Sequence, residues 1–420
     1  MEKYDTYKDS GIEWIGAIPA HWEVKKLSYC FEKIGSGTTP KSTNQDYYFN
    51  GDFNWLQTGD LTDNLIFRTS KKITQKALND YSTLNFYPLE SIVIAMYGAT
   101  IGKMGLLKIE TTTNQACCVL AKPNNVFSEF VFYWFRSIKK HIISLSYGGG
   151  QPNINQEQIR NLRIQLPLLE EQTKIANYLD KKTAEIDDLI AQKKKLLKLY
   201  KKEKEVIINQ AVTKGINPNV KLKNSGIEWL GDIPEHWEVK RLKYVLESQN
   251  TKRVPLSSSV RGEMMIKEYD YYGASGVIDK VDDYIFNEPL ILIGEDGANL
   301  LTRSKRLVFI AKGKYWVNNH AHILKPKYGL MYYYSELLEL YDFSIWVTGS
   351  AQPKLTSENL LNIPMIVPPI EEQKEIAEFL DKYISEIESK STKTKKLIAL
   401  LTEYKTALIS EVVTGKIKIN

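Results

Sequence analysis

No apolar run in this 420-residue chain approaches the roughly 20 residues needed to cross a bilayer. The opening Met1-Glu2-Lys3-Tyr4-Asp5 is polar and charged, without the apolar stretch of a signal peptide, so a cytoplasmic protein is expected. Cysteine is scarce. Cys30 and the adjacent pair Cys117 and Cys118 make neither a disulfide framework nor a metal cluster, which leaves buried or half-buried thiols as the expectation. Neither charge sign dominates: 56 Lys and Arg stand against 50 Asp and Glu, a net +6. That balance suits a nucleic-acid binder only if its basic residues gather in a cleft, and alone it decides nothing. With 43% hydrophobic and 25% charged residues, the chain has the composition of a folded protein of two or three domains.

Catalytic signatures are also missing. Gly98-Ala99-Thr100-Ile101-Gly102-Lys103-Met104 is not a phosphate loop, because only three residues separate the glycines and Met follows the lysine. Glu23-Val24-Lys25 and Glu238-Val239-Lys240 imitate a nuclease Glu-x-Lys but lack the partner acid, and a structural role is expected for both. The acids of Gly294-Glu295-Asp296-Gly297 read as a solvated tight turn rather than a Mg²⁺ site. His320 and His322 share one face of a strand without a third ligand nearby, so no metal is expected there. No methyl-donor loop is present either. The chain is expected to be no enzyme.

What the chain does have is a duplication. Ser10-Gly11-Ile12-Glu13-Trp14-Ile15-Gly16, with Ile18-Pro19 and His21-Trp22-Glu23-Val24-Lys25, returns 215 residues later as Ser225-Gly226-Ile227-Glu228-Trp229-Leu230-Gly231, Ile233-Pro234 and His236-Trp237-Glu238-Val239-Lys240. Downstream, Gln151-Pro152, Pro167, Glu170-Glu171-Gln172, Ile175-Ala176 and Leu179-Asp180 recur as Gln352-Pro353, Pro368, Glu371-Glu372-Gln373, Ile376-Ala377 and Leu380-Asp381, now offset by 201. Between the repeated frames lie two inserts, 31–150 and 246–350, that share little sequence and differ by about 14 residues. The paired tryptophans Trp14/Trp229 and Trp22/Trp237 are assigned to the cores of the frame, since an element common to both halves cannot produce two different readouts.

Segments 170–212 and 371–413 contain neither Pro nor Gly. Apolar residues at Ile175, Leu179, Ile186, Ile190, Leu197, Tyr200, Ile207 and Ala211, and at Ile376, Leu380, Ile384, Ile387, Ile398, Leu401, Leu408 and Val412, give each a coiled-coil-like seam. Prolines precede both segments, and Gly215 and Gly415 follow them, so two long helices are predicted. The order block, insert, helix occurs twice, which allows a pseudo-twofold arrangement with antiparallel helices. Short β-branched runs at 89–97, 116–120 and 290–293, separated by glycine-containing loops, predict compact α/β or α+β inserts.

The doubled Gly-Ile-Glu-Trp block and the doubled Glu-Glu-Gln helix entry together resemble the specificity (S) subunit of type I restriction-modification enzymes. The resemblance covers nearly the whole chain. In the first insert 35–42, 55–61, 97–106 and 113–116, and in the second 271–276, 294–299 and 316–322, look like two types of target recognition domain. The implied fold is mixed α/β (α+β), with two target recognition domains (1–166 and 215–366) alternating with two long antiparallel scaffold helices (167–214 and 367–420). Also implied is a non-catalytic reader of a bipartite, asymmetric double-stranded DNA site. It would bind two methyltransferase (M) subunits and, for restriction, motor-nuclease (R) subunits. No cofactor would sit on this chain; S-adenosylmethionine belongs to M, and ATP with Mg to R. A stand-alone DNA-binding adaptor of the same fold is the competing reading, and co-purification with a methyltransferase separates the two. A nuclease or methyltransferase in its own right lacks every acceptable motif, and a purely structural coiled coil leaves the inserts unexplained.

Polar, basic and Gly-flanked loop residues are the candidates for DNA contact, because there a backbone can approach phosphate and a side chain can reach a base edge. In the first insert and its exit these are Thr38, Thr39, Lys41, Ser42, Thr58, Tyr97, Lys103 and Gln151. In the second they are Tyr271, Tyr272, Ser275, Arg303, Lys305, Asn318, His320, Ser350, Gln352 and Lys354.

Overall fold

A computed structural model describes residues 2–13, 15–146, 153–349 and 352–419. Trp14, the glycines at 148–150, Gln151, Pro152 and Ser350 lie outside the described residues. The chain divides into two compact units, residues 1–194 with 396–420, and residues 195–395.

In the first unit a five-stranded sheet is ordered Phe31–Gly35, Cys117–Pro123, Ile92–Ala95, Met104–Leu107, Asn64–Ile66, with only the last pair parallel. Alternation along its strands sorts side chains between two cores. Ile92, Ile94, Cys118 and Leu120 join the cluster under the helix Ser128–Ser137, while Val93, Ala95, Cys117 and Val119 join the opposite one. The neighbouring cysteines thus face opposite ways, and all three thiols are free and buried. The strand expected over 89–97 is shorter, because Glu90 takes a left-handed backbone conformation (φ 64°) just before it.

The second unit repeats this plan in an unrelated sequence. Its sheet is ordered Leu246–Ser248, Ala321–Pro326, Leu290–Gly294, Val308–Ala311, with the helix Met331–Leu340 against one face. Each unit also carries a three-stranded sheet made of an antiparallel hairpin and one parallel strand. The hairpin is Phe53–Leu56 with Lys71–Ile73 in the first unit and Tyr269–Gly273 with Gly276–Val281 in the second; the parallel strands are Thr112–Thr113 and Tyr315–Val317. Inserts that look unlike in sequence are therefore alike in topology. The first hairpin is joined by residues 57–70, the second by Ala274 and Ser275 alone, twelve fewer, which places most of the length difference at one loop.

Helices Leu169–Lys214 and Ile370–Val413, 46 and 44 residues long, begin and end within two residues of the boundaries expected from Pro and Gly. In the first unit Ile175 and Leu179 share a core with Leu408 and Val412, and Lys405 reaches Asp187 at 2.6 Å. In the second unit Ile208 and Val212 share a core with Ile376 and Leu380, and Lys204 pairs with Glu388 at 2.7 Å. Numbers rise on one helix as they fall on the other, so within each unit the helical segments run antiparallel. Among the seam positions, Ile175, Leu179, Ile186, Ile376, Leu380, Ile387 and Leu408 are buried; Ile190, Leu197, Ile398 and Leu401 are only half-buried. A two-helix contact covers a narrow stripe, and away from the helix ends no sheet completes it.

The repeated residues form a clamp at each helix entry. Glu171 accepts from Trp22 Nε1 at 3.2 Å and lies 2.9 Å from His21 Nε2; Glu372 accepts from Trp237 Nε1 at 2.9 Å and lies 2.7 Å from His236 Nε2. Gln172 and Gln373 each donate to the proline carbonyl before the helix (Pro167 or Pro368) and accept a backbone N–H from the insert, Phe127 or Leu330. Gly415 packs against Trp22 and Gly215 against Trp237, both left-handed (φ 72° and 75°), so each clamp takes the start of one long helix and the end of the other. Trp22 and Trp237 are fully buried as expected, but Trp229 is not a core residue: it is 38% exposed and packs edge-on against Tyr341, ring centroids 4.6 Å apart.

Candidate nucleic-acid interfaces

In the first reader, loops from opposite ends of the insert converge on Gln115. The Thr39 hydroxyl donates to Gln115 Oε1, and the Tyr97 hydroxyl donates to the Gln115 carbonyl at 2.6 Å. The Thr38 carbonyl accepts from Trp55 Nε1 at 3.1 Å, and Lys41 N–H donates to the Tyr81 hydroxyl at 3.0 Å, which holds this loop over the three-stranded sheet. Thr39 and Ser42 then line an open groove of about 780 Å³ whose other walls include Gln45, Phe49, Gln57, Lys71 and Lys72. Thr58 lies half-buried in the turn Thr58–Asp60, and Lys103 half-buried after Gly102. Gln151 is outside the described residues, although Asn153 pairs with Tyr97 and brings the chain back to the same loop.

In the second reader four chain segments meet at Glu295, which is buried. Arg253 donates to its Oε2 and to the Ala321 carbonyl at 2.9 Å, while Lys354 stands 3.2 Å from its other oxygen. His322 Nδ1 lies 3.6 Å away, and His320 Nδ1 is 2.7 Å from Asp296. Burial alone would raise the Glu295 carboxyl; the Arg253 guanidinium, with Lys354 beside it, outweighs burial and holds the group below the ordinary carboxylate range. Residues 294–297 are therefore not a solvated turn, because Glu295 points inward as the anion of an ion cluster. Among the described residues no group of three His, Cys, Asp or Glu could hold a metal ion.

Several second-reader candidates gather around this cluster. His320 and Lys354 are exposed at its edge, Asn318 is buried and accepts the His320 N–H at 2.8 Å, and Gln352 is exposed beside them. Others belong to the protein's own packing. Tyr271 is buried, and its hydroxyl accepts from Leu256 N–H at 3.0 Å, so it anchors a loop rather than facing outward. Tyr272 is half-buried between Phe309 and Tyr315. Arg303 is tied to Glu339 and lies over Phe343. Ser275 and Lys305 are exposed on loops, and Ser350 lies outside the described residues. Sequence reading missed Arg253, Asn250 and the groove residues Gln45, Phe49, Gln57, Lys71 and Lys72. For Phe49 a signal existed: an aromatic residue in a polar loop that proves 73% exposed.

Two readers of one topology, each with a polar loop surface, stand on a duplicated frame, and both halves match one family model, described as the type I restriction modification DNA specificity domain, at residues 19–199 and 234–399. The chain belongs to this family. It is 26% identical to the type I restriction enzyme MjaIX specificity subunit of Methanocaldococcus jannaschii, with 96% of this chain and 95% of the relative aligned. A putative specificity subunit of Haemophilus influenzae, S.HindORF215P, is 33% identical over 38% of each chain. Among solved structures, the HsdS subunit of Thermoanaerobacter tengcongensis has the same fold (TM-score 0.58, 16% identity, 95% of this chain and 98% of that one), as does a chain of a type I R-M system (TM-score 0.69, 16% identity, 94% and 98%). As a specificity subunit the chain is a sequence-specific DNA-recognition component and not the catalyst of its enzyme. No helix among the described residues is long and apolar enough to cross a membrane.

Proposed function

We propose that the two readers recognise the two halves of one asymmetric, bipartite site in double-stranded DNA, and that the chain does so in the cytoplasm as the reader for two methyltransferase subunits and for restriction subunits. The observation that carries this reading is a shared topology with different loops: the same strand order presents the Thr39–Gln115–Tyr97 cluster in one unit and the Glu295 cluster in the other. A duplicated frame with identical readers would suit a symmetric site. Unlike readers suit an asymmetric one.

Exposed apolar side chains on the long helices, Leu189, Leu397, Leu400 and Tyr404 in the first unit and Leu199, Val206 and Phe379 in the second, suit docking of helical partner surfaces. S-adenosylmethionine is then held by the methyltransferase, and ATP with Mg by the restriction subunit. Methylome sequencing of cells carrying this chain with a methyltransferase partner tests the reading. Modified adenines are expected in two different half-sites at one fixed separation. A single contiguous or palindromic motif would overturn it.

A further inference from the structure

The twelve extra residues in the first reader's hairpin connection wall one groove and border a second one formed mainly by residues 39–55 and by Lys71 and Lys72. Residues 57–70 leave the three-stranded sheet, contribute Asn64–Ile66 as an edge strand of the five-stranded sheet, and return at Lys71. Asp60 fixes this excursion at both ends: its Oδ2 accepts the Gln57 N–H at 2.9 Å and its Oδ1 the Ser70 N–H at 3.0 Å. The result is two grooves that share Ser70. One, about 780 Å³, is lined by Gln45, Phe49, Gln57, Lys71 and Lys72 among others; the second, about 590 Å³, is lined by Asp60, Phe67, Arg68 and Thr69 among others.

The chemistry of this surface is one-sided. Lys41, Arg68, Lys71 and Lys72 are exposed, and none makes an ion pair among the described residues. Nearby acids are already engaged, Asp46 with Lys76 at 2.6 Å and Asp63 with Lys139 at 2.5 Å. Phe49 and Phe67, 73% and 67% exposed, stand one in each groove, where solvent-facing aromatics need a partner to cover them. Unpaired cations suit phosphate, carboxamides suit base edges, and a phenyl ring suits a thymine methyl or a sugar.

We propose that the first reader takes its DNA half-site across these paired grooves, with Gln45 and Gln57 reading base edges, Lys71 and Lys72 holding the phosphate backbone, and Asp60 acting as the positioning residue for both walls. This rests on the two-reader function proposed above and assigns its first half-site to the hairpin and to the loops on either side of it.

The test uses the chain co-expressed with a methyltransferase partner, comparing wild type, Gln57→Ala and the double variant Lys71→Gln/Lys72→Gln by methylome sequencing and by DNA affinity across salt concentrations. Gln57→Ala is expected to relax at least one position of one half-site, by about fivefold to a hundredfold, and to leave the other half unchanged. The lysine double variant is expected to keep both half-sites and to flatten the slope of log affinity against log salt by about 0.9 per lysine. The exposed lysines decide the case if Gln57→Ala fails to assemble. An unchanged salt slope overturns the assignment, as does loss of methyltransferase co-purification in the lysine variant, which would make the surface a subunit contact. A wild-type complex without a bipartite motif overturns the two-reader function itself, whereas a normal bipartite motif left unaltered by Gln57→Ala, with the salt slope unchanged in the lysine variant, overturns the grooves alone.

Discussion

His322 is fully buried between segments that are distant in the chain. Its Nε2–H faces the Leu355 carbonyl at 2.7 Å, leaving Nδ1 to accept from Asn250 Nδ2 at 2.8 Å, and a proton on Nδ1 would set two donors against each other. Burial pushes its pKa below the ordinary value of 6.5. Below that value the unfolded chain binds a proton that the folded one resists, so stability is complete above it and falls as pH drops through it towards the lower folded value. Denaturant midpoints are expected to fall between pH 7.5 and 5.5, and the drop should be smaller in His322→Asn; an equal drop in both proteins would show that His322 does not carry the effect. The cysteines allow a second check. Burial raises Cys30 to about 11 and Cys118 to about 12, and Cys117 further. No thiol should react with a disulfide reagent at pH 8 until the protein unfolds, so thiol labelling should track global unfolding. The setting of His322 could not be read locally, because Asn250, Glu295 and Leu355 reach it from distant parts of the chain.

Elements differed in how far the sequence announced them. The long helices were plain, since uninterrupted stretches without Pro or Gly ending at left-handed glycines have few other solutions. The common plan of the readers was hidden, because strands of two to seven residues joined by long-range pairing leave almost no periodic signal. Trp229 shows the same limit: repetition in sequence established that it belongs to the frame but not which way it faces. Burial also reorders the seam. A charge at Leu380, which is fully buried, is expected to cost about 3–5 kcal/mol, while Leu197→Glu at a half-buried position should cost about 1 kcal/mol. Urea unfolding of the two variants checks the order, and equal losses would mean that the helix midpoint is as tightly packed as its ends. At the other end of the clamp, Gly415→Ala adds a methyl group against Pro19 and Trp22 in a left-handed turn and should destabilise by about 1–3 kcal/mol.

For the whole molecule, the helix Leu169–Lys214 runs through the boundary between the units at residue 194, and Ile370–Val413 returns through it. If the readers each take one half-site, these two stretches set the gap between halves. Four helical residues added at Thr213-Lys214, just ahead of the left-handed Gly215, lengthen the first helix by about 6 Å, close to two base pairs at about 3.4 Å each. They also rotate the downstream chain by about 40°, because four residues exceed one turn of 3.6. The insertion should therefore lengthen the gap while both half-sites stay the same. Replacing residues 31–150 by the reader of another specificity subunit should do the reverse, changing one half-site and sparing the gap, because the clamp residues Trp22, Glu171 and Gln172 lie outside the exchanged segment. Methylome sequencing of both variants reads gap and half-sites together. An insertion that changes which bases are read, or a replacement that changes both halves, would show that spacing and recognition are not carried by separate elements.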